Sequence, residues 1–257
     1  MAPAVLVRPP GPRLTDGLVT HIQRQPVDLH LARRQWADYV EVFAGRNWDI
    51  HEVPTAEDCP DAVFIEDTMV MFGGTAIMTR PGAPERRPEV EGVEAMVRTL
   101  GLPLRHVATV DAGAHLDGGD VLKIGRTVYV GRGGRTDDAG ISALASVIEP
   151  LGGRVVPFPV TRVLHLKSAV TALPDGTVLG WDPVVDDPMF FDTYMSVPEE
   201  SGAHVVVLDP DTVLMAASAP RTASLLRDRG LGVIVVDISE FEKLEGCVTC
   251  LSVRVRP

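Results

Sequence analysis

The chain predicts an α/β ring built from five copies of a strand-strand-helix-strand unit, and three observations predict it. Apolar, β-branched runs come in pairs separated by Gly or Asp turns, and a helix-like stretch and another apolar run follow each pair. The unit recurs about every fifty residues, a period that belongs to rings and stacked arrays. The last unit is complete only when the two ends of the chain are joined, and this favours a closed ring.

The N-terminal part supplies a strand at Val5–Val7, a helix over Leu18–Phe43 broken at Pro26, and a strand at Trp48–Val53. The paired runs Ala62–Val70 and Met71–Thr79 precede a helix over Val90–Leu100 and a strand at His106–Val110. Val121–Ile124 and Thr127–Val130 form a hairpin, followed by a helix over Ala139–Leu151 and a strand at Arg154–Phe158. Ser168–Leu173 and Thr177–Trp181 pair across Pro174-Asp175-Gly176, and His204–Leu208 follows after a long, proline-containing segment. Thr212–Ala216 leads to a helix over Thr222–Asp228 and a strand at Gly232–Val236. C-terminal strands within Cys247–Val255 join the N-terminal elements to close the fifth unit. A doubly wound parallel sheet alternates strands and helices in a similar way, but the hairpin before each helix argues against it. Gly131-Arg132-Gly133-Gly134 lacks the spacing of a dinucleotide loop and is read as a turn.

At 257 residues the chain can bury a substantial core, and the expectation is one catalytic domain over 1–257. It is 45% hydrophobic and 23% charged, which excludes a disordered or low-complexity protein. Its formal charge of −11 disfavours nucleic acid and anionic membranes and favours a small cationic partner. No apolar run has the length of a membrane span, and the first residues lack the pattern of a signal peptide, so a cytoplasmic location is expected. Cys59, Cys247 and Cys250 form no disulfide framework and suit a reducing compartment. The sequence is compatible with a homodimer but carries no signal that decides it.

Three distant positions read together as a thiol-based site: Asp117 in Leu116-Asp117-Gly118-Gly119-Asp120, His165 in Leu164-His165-Leu166-Lys167-Ser168, and Cys250. Thiol, imidazole and carboxylate are the nucleophile, proton carrier and orienting group of covalent catalysis. Taken alone, a cysteine in an apolar strand is more often inert filling, and six other histidines compete with His165. Cys247 and Cys250 could also form a redox couple or half of a metal site. Alternation along a strand places the two on opposite faces, so their sulfurs should diverge, and no second C-x-x-C completes a zinc site. The carboxylates Asp61, Glu66 and Asp67 fall among apolar residues, where a bound guanidinium would compensate their charge. Arg86 or Arg87, with Arg135, could clamp the α-carboxylate of an amino acid, although the default reading of any arginine is surface charge.

These motifs carry a resemblance. Val7-Arg8-Pro9, Phe64-Ile65-Glu66-Asp67, Leu116-Asp117-Gly118-Gly119-Asp120, Gly134-Arg135-Thr136, Leu164-His165-Leu166-Lys167-Ser168 and Thr249-Cys250-Leu251-Ser252 follow in order along almost the whole chain. The chain resembles the dimethylarginine dimethylaminohydrolases of the guanidine-modifying superfamily, which also includes arginine deiminases and amidinotransferases. The resemblance implies a five-bladed α/β propeller of ββαβ units, in agreement with the five units counted above. It implies that Cys250 attacks a guanidinium carbon, with His165 as acid and base and Asp117 beside it. Asp67 with Glu66 would hold the guanidinium next to Phe64. Asp61 and the Leu14 backbone would meet the α-amino group, Arg86 and Arg135 the α-carboxylate, and the Leu244 carbonyl would face the guanidinium. No cofactor or metal is required. The segment between Thr79 and His106 is too short for the helical insertion of arginine deiminases, which favours methylated arginine as substrate. A compact arginine deiminase, a hydrolase of another guanidino acid, and a Cys247/Cys250 redox or metal-binding protein are the alternatives; a non-catalytic binder of arginine analogues conflicts with the retention of Cys250, His165 and Asp117.

Overall fold

Each segment of about fifty residues folds into a three-stranded sheet, and five such sheets form. The computed structural model describes residues 3–256; Met1, Ala2 and Pro257, which the single-domain expectation includes, lie outside the described residues. The chain begins with β1 (Ala4–Val7), α1 (Leu29–Ala44) and β2 (Asp49–Glu52). It continues through β3 (Met69–Phe72), β4 (Thr75–Met78), α2 (Glu89–Thr99) and β5 (Leu104–His106). After a short α3 (Val107–Val110) come β6 (Val121–Ile124), β7 (Thr127–Arg132), α4 (Asp138–Ile148) and β8 (Arg154–Pro159). Next are α5 (Leu166–Ala169), β9 (Val170–Ala172), β10 (Val178–Gly180) and β11 (Tyr194–Ser196). The last elements are β12 (Val205–Asp209), β13 (Thr212–Ala216), α6 (Pro220–Asp228), β14 (Gly232–Val236), α7 (Ser239–Glu242) and β15 (Val253–Val255).

Every sheet has the same order. The first two strands are antiparallel and the third runs parallel to the second, as in β3-β4-β5, β6-β7-β8, β9-β10-β11 and β12-β13-β14. The fifth sheet is β15-β1-β2, with the C-terminal strand in first place, so the termini close the ring as a shared blade. The protein is a five-bladed α/β propeller. Its core is divided among the joints between blades. Tyr39, Phe43 and Trp48 of the first blade pack on Leu208 and Leu214 of the last. Val70 and Ile77 pack on Val128, Leu144 and Ile148 of the next blade. A blade exposes apolar area on both faces, and only a closed ring covers both faces of all five. The inner strands β3, β6, β9, β12 and β15 all contribute to the wall of a central cavity of about 640 Å³.

Several boundaries differ from the sequence reading. The first helix starts at Leu29, where the Asp28 side chain accepts from His30 N and Leu31 N, and 18–28 is irregular. His106–Val110 is the end of a strand and one turn of helix, and 166–169 is helical where a strand start was expected. The fourth blade has two short 3-10 turns, at Asp182–Val184 and Pro188–Phe190, where the others carry a helix. Pro183 and Pro188 lack the N–H groups a longer helix would need. Its third strand, β11, went unread, and the run near 204 opens the next blade. The C-terminal segment is a strand only from Val253, and 247–251 is a chain of turns.

Candidate active site

The cleft lies where loops leaving the blades converge, and its wall holds Asp61, Phe64, Asp67, Arg86, Arg135, His165, Leu244 and Cys250. Asp117 stands behind the wall, fully buried, with Oδ2 at 2.8 Å from His165 Nε2. Its Oδ1 accepts from Gly82 N at 2.8 Å, and its own N–H donates to Thr136 Oγ1 at 3.2 Å. A carboxylate tied down on this many sides presents the imidazole in one orientation. The glycines after Asp117 are steric necessities: a Cβ on Gly118 would stand 2.0 Å from the Glu66 carbonyl oxygen, and one on Gly119 would stand 2.6 Å from both Asp67 Oδ1 and His165 Nδ1. This close approach lets Gly119 N donate to Asp67 Oδ1 at 2.8 Å.

His165 is buried between two carboxylates, its Nδ1 lying 3.8 Å from Asp67 Oδ1. Burial alone would lower its pKa, but Asp67 and the hydrogen-bonded Asp117 outweigh burial and raise it to about 9. The ring is therefore imidazolium at neutral pH. For Asp67, burial acts upward, while the charges of His165 and Arg86 hold the carboxyl well below its usual range. Asp120 is pushed up to about 6, chiefly by burial, and accepts from Thr136 Oγ1 at 2.6 Å and Leu166 N at 2.9 Å.

Arg86 is committed to the protein. Its Nη1 donates to Asp67 Oδ2, its Nε and Nη2 reach Glu89 at 3.1 and 2.8 Å, and Nη2 also meets the carbonyls of Asp61 and Phe64 at 3.2 and 3.0 Å. Arg135 differs: its Nη1 is buried without a hydrogen-bond partner, 3.8 Å from Asp117 Oδ2. Arg135 also lines the cleft, and a guanidinium with a donor to spare is suited to a carboxylate from outside. Asp61 is held by Leu18 N at 3.1 Å, and burial raises its pKa.

Two predicted residues are placed elsewhere. Glu66 turns away from the cleft, and its Oε1 takes Lys167 Nζ at 2.6 Å and Arg254 Nη2 at 3.2 Å, while Oε2 accepts from Thr249 Oγ1 at 2.8 Å. Consecutive residues cannot both face one cleft here, and Asp67 is the one that does. Leu14 is buried behind the wall with its carbonyl accepting from Gly17 N at 3.1 Å, and Leu18 occupies the wall instead.

The divergence expected of the two C-terminal cysteines is overturned: Cys247 Sγ and Cys250 Sγ are 3.2 Å apart. The segment is a turn in which Cys250 N donates to the Cys247 carbonyl at 3.1 Å, and this spacing puts both side chains on one side. The hydrogen bond between the thiols splits the pair: it pulls Cys247 below the ordinary thiol range against the effect of burial, and together with burial it pushes Cys250 above that range. Cys250 lines the cleft, and Cys247 lines an adjoining pocket of about 280 Å³ that shares Leu164, Glu245 and Gly246 with it.

Sequence reasoning missed Glu89, Leu18, Leu164, Glu245 and Gly246. Glu89 follows Arg86 at a spacing of three, a signal that could have found it. Glu245 has no such signal: with φ at 62° it aims its carboxylate at the backbone N–H groups of Thr20, His21 and Ile22 and fastens that segment beside the cleft. Ligand atoms of Asp67, Asp117 and His165 lie within 4.8 Å of one another, close enough to share a metal ion. The Arg86 guanidinium on Asp67 already supplies the positive charge such an ion would bring. Among the described residues no helix is long and apolar enough to cross a membrane.

Known proteins match this chain in sequence and fold over nearly its whole length. The arginine deiminase family model matches residues 44–156. A dimethylarginine dimethylaminohydrolase of Streptomyces coelicolor is 59% identical over 98% of this chain and 96% of its own length. The enzyme of that name from Pseudomonas aeruginosa is 34% identical over 97% of this chain and 98% of its own. The structure of a Cys-to-Ser mutant of the Pseudomonas aeruginosa protein, complexed with citrulline, superposes with a TM-score of 0.90 at 31% identity, covering 99% of each chain. On this evidence the chain belongs to the dimethylarginine dimethylaminohydrolase family.

Proposed function

We propose that this chain hydrolyses asymmetric dimethylarginine and monomethylarginine to citrulline, releasing dimethylamine or methylamine. The observation that carries the reading is the imidazole of His165, clamped between Asp117 and Asp67 in the same cleft as the Cys250 thiol and the Arg135 guanidinium, whose Nη1 has no hydrogen-bond partner. Arg135, with the remaining Nη1 proton of Arg86, takes the α-carboxylate, and Asp61 takes the α-amino group. Asp67 and the Leu244 carbonyl receive the guanidinium, and Phe64 lines its seat. The cationic guanidinium seated beside Cys250 favours its thiolate, whose proton leaves to solvent; Sγ then attacks the guanidinium carbon, and the bond to the methylated nitrogen breaks as His165 gives that nitrogen a proton. Water, deprotonated by His165, attacks the resulting thiouronium, and the C–S bond breaks to return the thiolate and leave a ureido group. The free space at the base of the cleft is about 20 Å³, room for one water, so substrate entry requires the walls at Leu18 and Leu244–Gly246 to part.

The segment between Thr79 and His106 holds only a 3-10 turn, α2 and β5, with no inserted domain. The test is incubation of the purified protein with asymmetric dimethylarginine, monomethylarginine and arginine separately, with citrulline as the readout. Citrulline from the methylated substrates in excess over arginine is expected; turnover of arginine alone would move the assignment to a compact deiminase. The proton inventory adds a second prediction. Because the folded pKa of His165 is raised to about 9, the acid needed for amine departure is lost only as pH rises through that value. The alkaline limb of kcat/KM should fall there, and Asp117→Asn should move it toward lower pH. A limb that does not move would remove Asp117 from this role.

A further inference from the structure

Behind the cleft, and sharing no wall residue with it, the central cavity of about 640 Å³ has a charge opposite to that of the chain. Its wall carries Lys123, Arg126, Lys167, Arg254 and Arg256 against a single carboxylate, Glu66. Glu66 is already shared between Lys167 and Arg254. Lys123 Nζ has the Met71 carbonyl at 2.7 Å, and Arg126 Nε has the Gly152 carbonyl at 2.6 Å with Phe72 beneath its guanidinium. Arg256 meets the Val207 carbonyl and lies over Trp48. Among the described residues no carboxylate pairs with these three. With Lys123 charged the wall carries four uncompensated positive charges in a protein whose formal net charge is −11. A concave, protein-walled cavity focuses such a field and concentrates a counter-ion there.

We propose that this cavity binds a multivalent oxyanion of the phosphate class, about the size of a diphosphate. A diphosphate brings close to the charge that the wall presents, and guanidinium forks and ammonium donors are the groups that recognise it. A long nucleic acid is excluded by the acidity of the outer surface, and a monovalent anion would leave most of the wall uncompensated. The cations come from three blades: Lys123 and Arg126 from β6 and the β6-β7 turn, Lys167 from the helix before β9, and Arg254 and Arg256 from β15 and the residue after it. Ring closure thus creates the site.

Calorimetric titration of the full chain with pyrophosphate, and separately with ADP, at constant ionic strength is the test. One-to-one saturable binding is expected, weakened about tenfold or more in Lys123→Gln and in Arg256→Gln and kept in Lys123→Arg. Thermal unfolding of each variant without ligand identifies any that fails to fold, and Arg256→Gln, altered at an exposed position, then stands as the deciding variant. Pyrophosphate binding without ADP binding identifies a free anion as the ligand; ADP binding of equal or greater strength identifies a nucleotide tail. The proposal is overturned by an absence of saturable heat, by affinity unmoved in the folded glutamine variants, or by displacement of pyrophosphate with citrulline, which would place the anion on Arg135 in the cleft.

Discussion

Cys250→Ser is expected to lose citrulline formation roughly 10⁶-fold, the scale on which covalent enzymes fail without their nucleophile, while remaining folded. The replacement is nearly isosteric and lies in a turn whose backbone hydrogen bonds, Cys250 N to the Cys247 carbonyl and Glu66 N to the Cys250 carbonyl, are untouched. A hydroxyl, however, gives up its proton far less readily than a thiol and is the weaker nucleophile. The neighbouring thiol makes the experiment discriminating. Cys247 is in contact with Cys250 but opens on the adjoining pocket, so Cys247→Ser should keep turnover within about tenfold and shift its thiol limb to lower pH, because the neighbour whose hydrogen bond and charge hold the Cys250 thiol up is lost. If Cys247→Ser were the inactive variant and Cys250→Ser the active one, the nucleophile would be misassigned.

Arg86→Ala is expected to cost about 3–5 kcal/mol of stability, the range for breaking a buried ion pair from one side, and roughly 6–20 °C in Tm at this chain length. The guanidinium is the shared partner of Asp67 and Glu89, whose side chains are only 4% and 1% exposed. Burial already holds the Glu89 carboxyl above its usual range with the guanidinium in place, and without it that pKa should rise further. A carboxyl with a raised folded pKa destabilises once the pH exceeds its unfolded value and is relieved as pH falls through the folded one. The loss in Arg86→Ala should therefore be smaller near pH 5 than near pH 8 by thermal unfolding. If the residue served only the substrate carboxylate, Tm would stay put and KM alone would rise.

The chain determined its architecture through local signals. Gly and Asp turns between β-branched runs, and helices burying one face at spacings of three and four such as Ala32, Gln35, Tyr39 and Phe43, specify a blade without reference to any other. Closure was legible too, since β15 and β1 are each incomplete without the other. The motifs also marked Cys250, His165, Asp117, Asp61, Asp67 and Arg135, because those residue types in that order have few other uses. Only the tertiary structure decided where neighbouring side chains point. Glu66 and Asp67 are adjacent in sequence yet serve opposite sides of one loop, and Cys247 and Cys250 meet because a turn replaces the strand that alternation predicted. The same holds for Arg86, drawn to Glu89 and Asp67, and for the cations of the central cavity, gathered from separate blades. Periodicity is a property of neighbours along the chain, whereas charge compensation is settled among groups that only the closed ring brings together.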